Sequence, residues 1–110
     1  MIFFKRGVKF TRLVPQMALA AAVCDGAFNR HGCDCVVTSC DDGRHGRSTL
    51  HGKGRAFDLR INNIAIDRAR DVHTLITQAL GENYDVILET YTKNPANNHI
   101  HVEYDPKVLK

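Results

Sequence analysis

No stretch of this 110-residue chain is apolar for long enough to cross a bilayer. Its longest apolar-rich run, Met17 to Cys24, falls far short of the roughly 20 residues a spanning helix requires. A secretory leader is missing too, because in MIFFKRGVKF the charges follow the apolar residues and no clear cleavage site comes after them. Synthesis in the cytoplasm without a signal peptide is therefore expected, and the membrane is not an expected partner. Internal repeats, low-complexity tracts and linkers are absent as well, so residues 1–110 read as one domain. The four cysteines, Cys24, Cys33, Cys35 and Cys40, lack the C-x2-C pairs of a structural zinc site. Cytosolic synthesis favours reduced, partly buried thiols, with disulfides or a structural metal as the alternatives. Nor is there a long basic stripe with interleaved aromatics. The net charge of +3 is scattered, which argues against nucleic acid as a partner.

What is present is periodicity. Gly7 to Val14 reads as a lead-in segment, and Pro15 suits the first turn of a helix. Leu13, Met17, Ala21, Cys24 and Phe28 then recur at helical spacing, with Asn29 to Gly32 as the stop. Cys35 to Ser39 is a short β-branched strand. Asp41 to Arg47 is a charged loop, in which Asp41 and Asp42 read as an acidic turn rather than a calcium site. Arg55 to Ile61 alternates as a strand does. Asp67 to Leu80 repeats apolar residues as a helix does and stops at Gly81. Tyr84 to Glu89 is a third strand, Tyr91 to Asn98 a polar loop with Pro95, and His99 to Tyr104 a fourth strand. The expected fold is α+β, a mostly antiparallel four-stranded sheet packed on two helices.

Two of these strands share an oddity. Phe57, Leu59 and Ile61 alternate with Ala56, Asp58 and Arg60, while Ile100, Val102 and Tyr104 alternate with His99, His101 and Glu103. With both apolar faces turned to the helices, Asp58 shares the opposite face with His99 and His101. His51 lies seven residues before Asp58, in a turn that Gly52 and Gly54 allow to fold tightly. Two imidazoles and a carboxylate suit zinc and leave a coordination position open, the mark of a catalytic rather than a structural ion. Hydrolysis also needs a carboxylate that moves protons. Glu89, at a strand end, is the first choice, and Glu103 is the second. His45 and Arg44, in the loop before His51, are the donors expected to meet a developing oxyanion.

The segment T-L-H-G-K-G-R-A-F-D, Thr49 to Asp58, resembles the S-x-H-x-x-G-x-A-x-D motif of the D-Ala-D-Ala carboxypeptidase and L-alanyl-D-glutamate endopeptidase family, whose metal-binding fold recurs in hedgehog signalling domains. Thr49 keeps the hydroxyl of the motif's serine and is expected to contact substrate. H-I-H-V-E-Y-D, His99 to Asp105, resembles the family's closing strand. That resemblance makes His101 the metal ligand beside His51 and Asp58, with His99 a substrate-contacting neighbour and Glu89 the catalytic glutamate. The opening G-V-K-F-T-R-L-V-P-Q-M is similar to the start of short phage-encoded members. The resemblance thus implies a monomeric zinc metallopeptidase that cuts peptidoglycan stem peptides in phage lysis or wall remodelling, reaching the wall after release or from a virion. The alternatives are a non-catalytic binding module and a virion structural domain, each keeping zinc.

Overall fold

The computed structural model of the protein describes residues 1–9, 12–40 and 54–106. Its elements are β1 (Ile2–Phe4), α1 (Pro15–Arg30), β2 (Cys35–Ser39), β3 (Ala56–Arg60), α2 (Ile66–Leu80), β4 (Tyr84–Glu89) and β5 (His99–Tyr104), with a short 3-10 turn at Pro95–Asn97. The α+β class stands. The expected four-stranded, mostly antiparallel sheet is corrected to five strands in the order β1-β2-β3-β5-β4, a mixed sheet. The added strand is β1, which runs parallel to β2 with Ile2 opposite Cys35 and Phe4 opposite Val37. Three residues are too short to show an alternation. A parallel pair also needs a long crossover, which α1 provides between β1 and β2.

Pro15 opens α1 because its missing N–H removes a donor that the first turn would leave unpaired anyway. α2 ends at Gly81, whose left-handed φ of 82° lets its N–H donate to the Thr77 carbonyl. Both helices lie on one face of the sheet. Met17, Cys24 and Phe28 of α1 and Val72 and Ile76 of α2 join Val37, Phe57, Leu59, Ile100 and Val102 of the sheet in a single core. The Arg68 guanidinium of α2 ties the helices further by donating to the His31 carbonyl at the end of α1, at 2.9 Å. Among the described residues no helix is long and apolar enough to cross a membrane.

All four cysteines carry free thiols, with Cys24, Cys35 and Cys40 buried. Burial first, and the neighbouring Asp25 second, push the Cys35 thiol up to about 12. Neutral thiols of this kind behave as small core residues. His73 is structural as well, its Nε2 lying 2.8 Å from the Val86 carbonyl across the α2–β4 contact.

Sequence leaves Gly54 little choice. Its φ is +71°, and a Cβ there would lie 1.7 Å from the Arg12 carbonyl oxygen. The Gly54 carbonyl in turn accepts from the Val14 N–H at 3.0 Å, fastening the start of β3 to the start of α1. Gly81 also has a positive φ but meets nothing within 4 Å. Gly81→Ala should therefore cost about 1–3 kcal/mol, because φ 82° and ψ −169° form a backbone conformation essentially reserved for glycine. Gly54→Ala should cost clearly more in urea unfolding, since backbone must move as well; equal losses would show that the close approach does not matter.

Candidate functional site

The sheet face turned away from the helices carries the polar members of each alternation. β3 and β5 pair antiparallel with Asp58 opposite His101, Arg60 opposite His99 and Ala56 opposite Glu103. β4 continues the rows, setting Ile87 beside His101, Glu89 beside His99 and Asp85 beside Glu103. Directly opposed residues on one face stand close enough for their side chains to meet. The strand register alone thus gathers Asp58, His99, His101 and Glu89 from three strands.

His101 is held from both sides. Its Nδ1 lies 3.0 Å from Asp58 Oδ1, and its Nε2 lies 2.6 Å from Glu103 Oε1. Carboxylate oxygens only accept, so a ring with a single proton satisfies one contact and a doubly protonated ring satisfies both. Burial opposes the charge. The two hydrogen bonds and the two carboxylate charges outweigh it, pushing the His101 pKa from its ordinary 6.5 up to about 9. A divalent cation set against Nδ1 and Asp58 would take the place of one proton and leave Nε2–H on Glu103. A carboxylate that orients a metal-binding imidazole from behind is the usual outer partner of such a ligand.

His99 is fixed differently. Its Nδ1 donates to the Asn97 carbonyl at 2.9 Å, so in the neutral ring Nε2 carries the lone pair. That nitrogen lies 3.7 Å from Asp58 Oδ1 and 3.6 Å from Glu89 Oε2. The Tyr91 hydroxyl donates to Glu89 Oε2 at 2.7 Å, and its ring stacks on His99 with centroids 6.1 Å apart. The bond to Glu89 raises the Tyr91 hydroxyl pKa. Asn98 Oδ1 accepts from the Tyr91 N–H at 2.6 Å, folding the 91–98 segment back toward β5.

An open cleft of about 580 Å³ runs over this face, lined among others by Lys5, Thr38, Asp58, Arg60, Tyr91 and His99. The structure therefore brings together Asp58, His99, His101 and Glu89. Thr49, His51, Arg44 and His45, with Gly52 and the acidic turn at Asp41 and Asp42, lie outside the described residues. The donor types fit zinc: one carboxylate oxygen and one imidazole nitrogen 3.0 Å apart, near the spacing that two ligands of one tetrahedral ion adopt. Asp58 and His101 are two members of the expected ligand set; the third, His51, lies outside the described residues.

Two roles escaped sequence reasoning. Tyr91 stands two residues past Glu89, so the strand end was its signal, although nothing in the sequence shows the polar loop folding back. Sequence offers Glu103 as a second candidate base, and its carboxylate lies against His101 Nε2. A further set, Asp85, Glu103 and Asp105, brings three carboxylates within 4.8 Å of one another. Such an all-oxygen group matches hard cations better than zinc.

The pH dependence has a defined sign. A histidine whose folded pKa lies above its unfolded value adds stability that is fully present below pH 6.5 and lost as pH rises through about 9. In chelator, the melting temperature of the wild type should therefore fall over that window, and His101→Gln should flatten the decline. A wild-type profile already flat between pH 6.5 and 9 would show that His101 is not held as an imidazolium.

In comparisons with known proteins, no family model matches the chain, and neither a curated protein nor a solved structure does.

Proposed function

We propose that this domain is a zinc-dependent peptidase acting on the peptide stems of bacterial cell wall, of the D-Ala-D-Ala carboxypeptidase or L-alanyl-D-glutamate endopeptidase type. The observation that carries the reading is the pairing of Asp58 with His101 at 3.0 Å on the polar sheet face, with Glu89 in reach of the same cluster through His99. The resemblance of Thr49–Asp58 and His99–Asp105 to that family's two motifs supplies the choice of substrate. The fold would be that family's hedgehog-type arrangement, with helices behind the sheet and the ion in front.

His51, Asp58 and His101 would hold the zinc, which would supply Lewis acidity toward the scissile carbonyl and the attacking water. The rest falls to the chain's own groups. Glu89 takes a proton from the attacking water and returns it to the leaving amine. Tyr91 holds the Glu89 carboxylate in place through its hydroxyl, and His99 contacts substrate beside it. Glu103 fixes the ring of His101. His45 and Arg44 stabilise the oxyanion, and Thr49 lends a hydroxyl to the substrate. In this reading the protein reaches the wall after release from the cell or from a virion.

Mass spectrometry of purified peptidoglycan incubated with the zinc-loaded protein should show shortened stem peptides, and a chelator should abolish them while the circular dichroism spectrum persists. Glu89→Gln should lower turnover by roughly 100-fold or more with zinc binding intact. Glu103→Gln should instead weaken zinc binding by about 10- to 100-fold, read by competition with a chromophoric chelator. Full turnover in Glu89→Gln would remove the base from this mechanism.

Zinc binding should also release a proton at neutral pH, because His101 holds one to about pH 9. Calorimetry in buffers of different ionisation enthalpy measures it. No buffer dependence at pH 7 would place His101 outside the first coordination sphere.

A further inference from the structure

The cleft has a second chemistry at its other side. Lys5, just past β1, and Arg60, the last residue of β3, both line it together with Asn62, Asn97 and Asn98. Among the described residues no carboxylate pairs with Lys5 or Arg60, although Asp58 and Glu89 are near neighbours in the sheet. Arg60 lines the cleft and is half-buried rather than free in solvent. An arginine partly withdrawn from water with no anionic partner is poorly compensated, and a planar carboxylate is the group its fork matches best. Its place also matters. Arg60 follows Asp58 by two residues on the same face, which puts the two backbone positions roughly 7 Å apart along the strand. That is about the reach from a scissile carbonyl to a carboxylate one or two residues away in an extended peptide.

We infer that Arg60, with Lys5 lining the same cleft, forms a carboxylate-binding subsite that selects peptides bearing a free carboxylate within two residues of the bond presented to Asp58 and His101. The inference rests on the peptidase reading for what happens to the peptide, but not for its binding. Two sources offer such a group. One is the terminal carboxylate of a peptide ending in D-Ala-D-Ala. The other is the free α-carboxylate of a γ-linked D-glutamate.

Binding and cleavage are measured separately on matched pairs of probes: acetyl-Lys-D-Ala-D-Ala against its C-terminal amide, and L-Ala-γ-D-Glu-Lys against the form amidated at the glutamate α-carboxylate. Titrations followed by NMR are run on the zinc-loaded wild type, Arg60→Gln, Arg60→Lys and Lys5→Gln, with folding of each checked by thermal unfolding. In one of the two pairs, the acid should bind about 10- to 100-fold more tightly than the amide. Arg60→Gln should remove most of that preference, Arg60→Lys should keep part of it, and Lys5→Gln should reduce it by several-fold. The pair that discriminates identifies the source. Equal binding of acid and amide in both pairs, absence of measurable binding, or a preference unchanged in Arg60→Gln overturns the inference. Cleavage without acid preference would retain the peptidase and discard the subsite, whereas acid-selective binding without any cleavage would retain the subsite and discard the peptidase.

Discussion

The register between β3 and β5 is the constraint on which the rest depends. Asp58 faces His101 because Leu59 faces Ile100 and Phe57 faces Val102, and those apolar residues are fully or almost fully buried. A slip of one residue would turn Phe57 and Leu59 toward the cleft and Asp58 into the core. Burying that much apolar surface is worth about 1.5–3 kcal/mol per large side chain, so the core selects the register strongly. The polar pair costs the sheet nothing in packing, yet its geometry is inherited from the packing behind it. The same register sets Arg60, His99 and Glu89 in the row on one side of that pair and Ala56, Glu103 and Asp85 in the row on the other.

Around that frame the electrostatics are unbalanced in a directed way. Three carboxylates, Asp58, Glu89 and Glu103, surround two imidazoles, and the two that flank His101 favour its protonated ring. A proton and a metal ion are alternatives at such a place, since both neutralise the same oxygen and occupy the same nitrogen lone pair. Glu103 and the Asn97 carbonyl each choose which nitrogen of their histidine faces the cleft, and a ring so fixed loses little freedom on binding an ion. The core behind contributes differently, by burying the Cys24 and Cys35 thiols, which raises their pKa and keeps them neutral.

Much of this was legible in the sequence, for a physical reason. Alternation and helical spacing report burial, and burial decides faces, so Cys35–Ser39, Tyr84–Glu89 and His99–Tyr104 were readable to the residue. The shared face of Asp58, His99 and His101 followed from the same period of two. β1 was not legible, because three residues carry no period and its parallel partner lies across a helix. Orientation within the face was hidden as well. Whether Glu103 serves as a base or as a support for His101, and whether Tyr91 turns back to Glu89, depends on side-chain torsions that no spacing encodes. Arg60 illustrates the gap most directly: its phase placed it on the polar face, but only the fold shows it lining the cleft with no carboxylate paired to it among the described residues.

The Asp58–His101 contact joins segments 43 residues apart. Neither β3 nor β5 forms the pair locally, so the donor atoms meet only after the chain between them, α2 and β4 included, has folded back. The cluster therefore has no partial form. Its lifetime is that of the β3–β5 ladder, and any opening that frees β5 disperses the two donors and sets the stacked tyrosine and the glutamate loose together. Donors assembled in this way act as a reporter of folding: occupancy by an ion would count molecules whose central sheet is closed, and the ion in turn would hold that sheet shut.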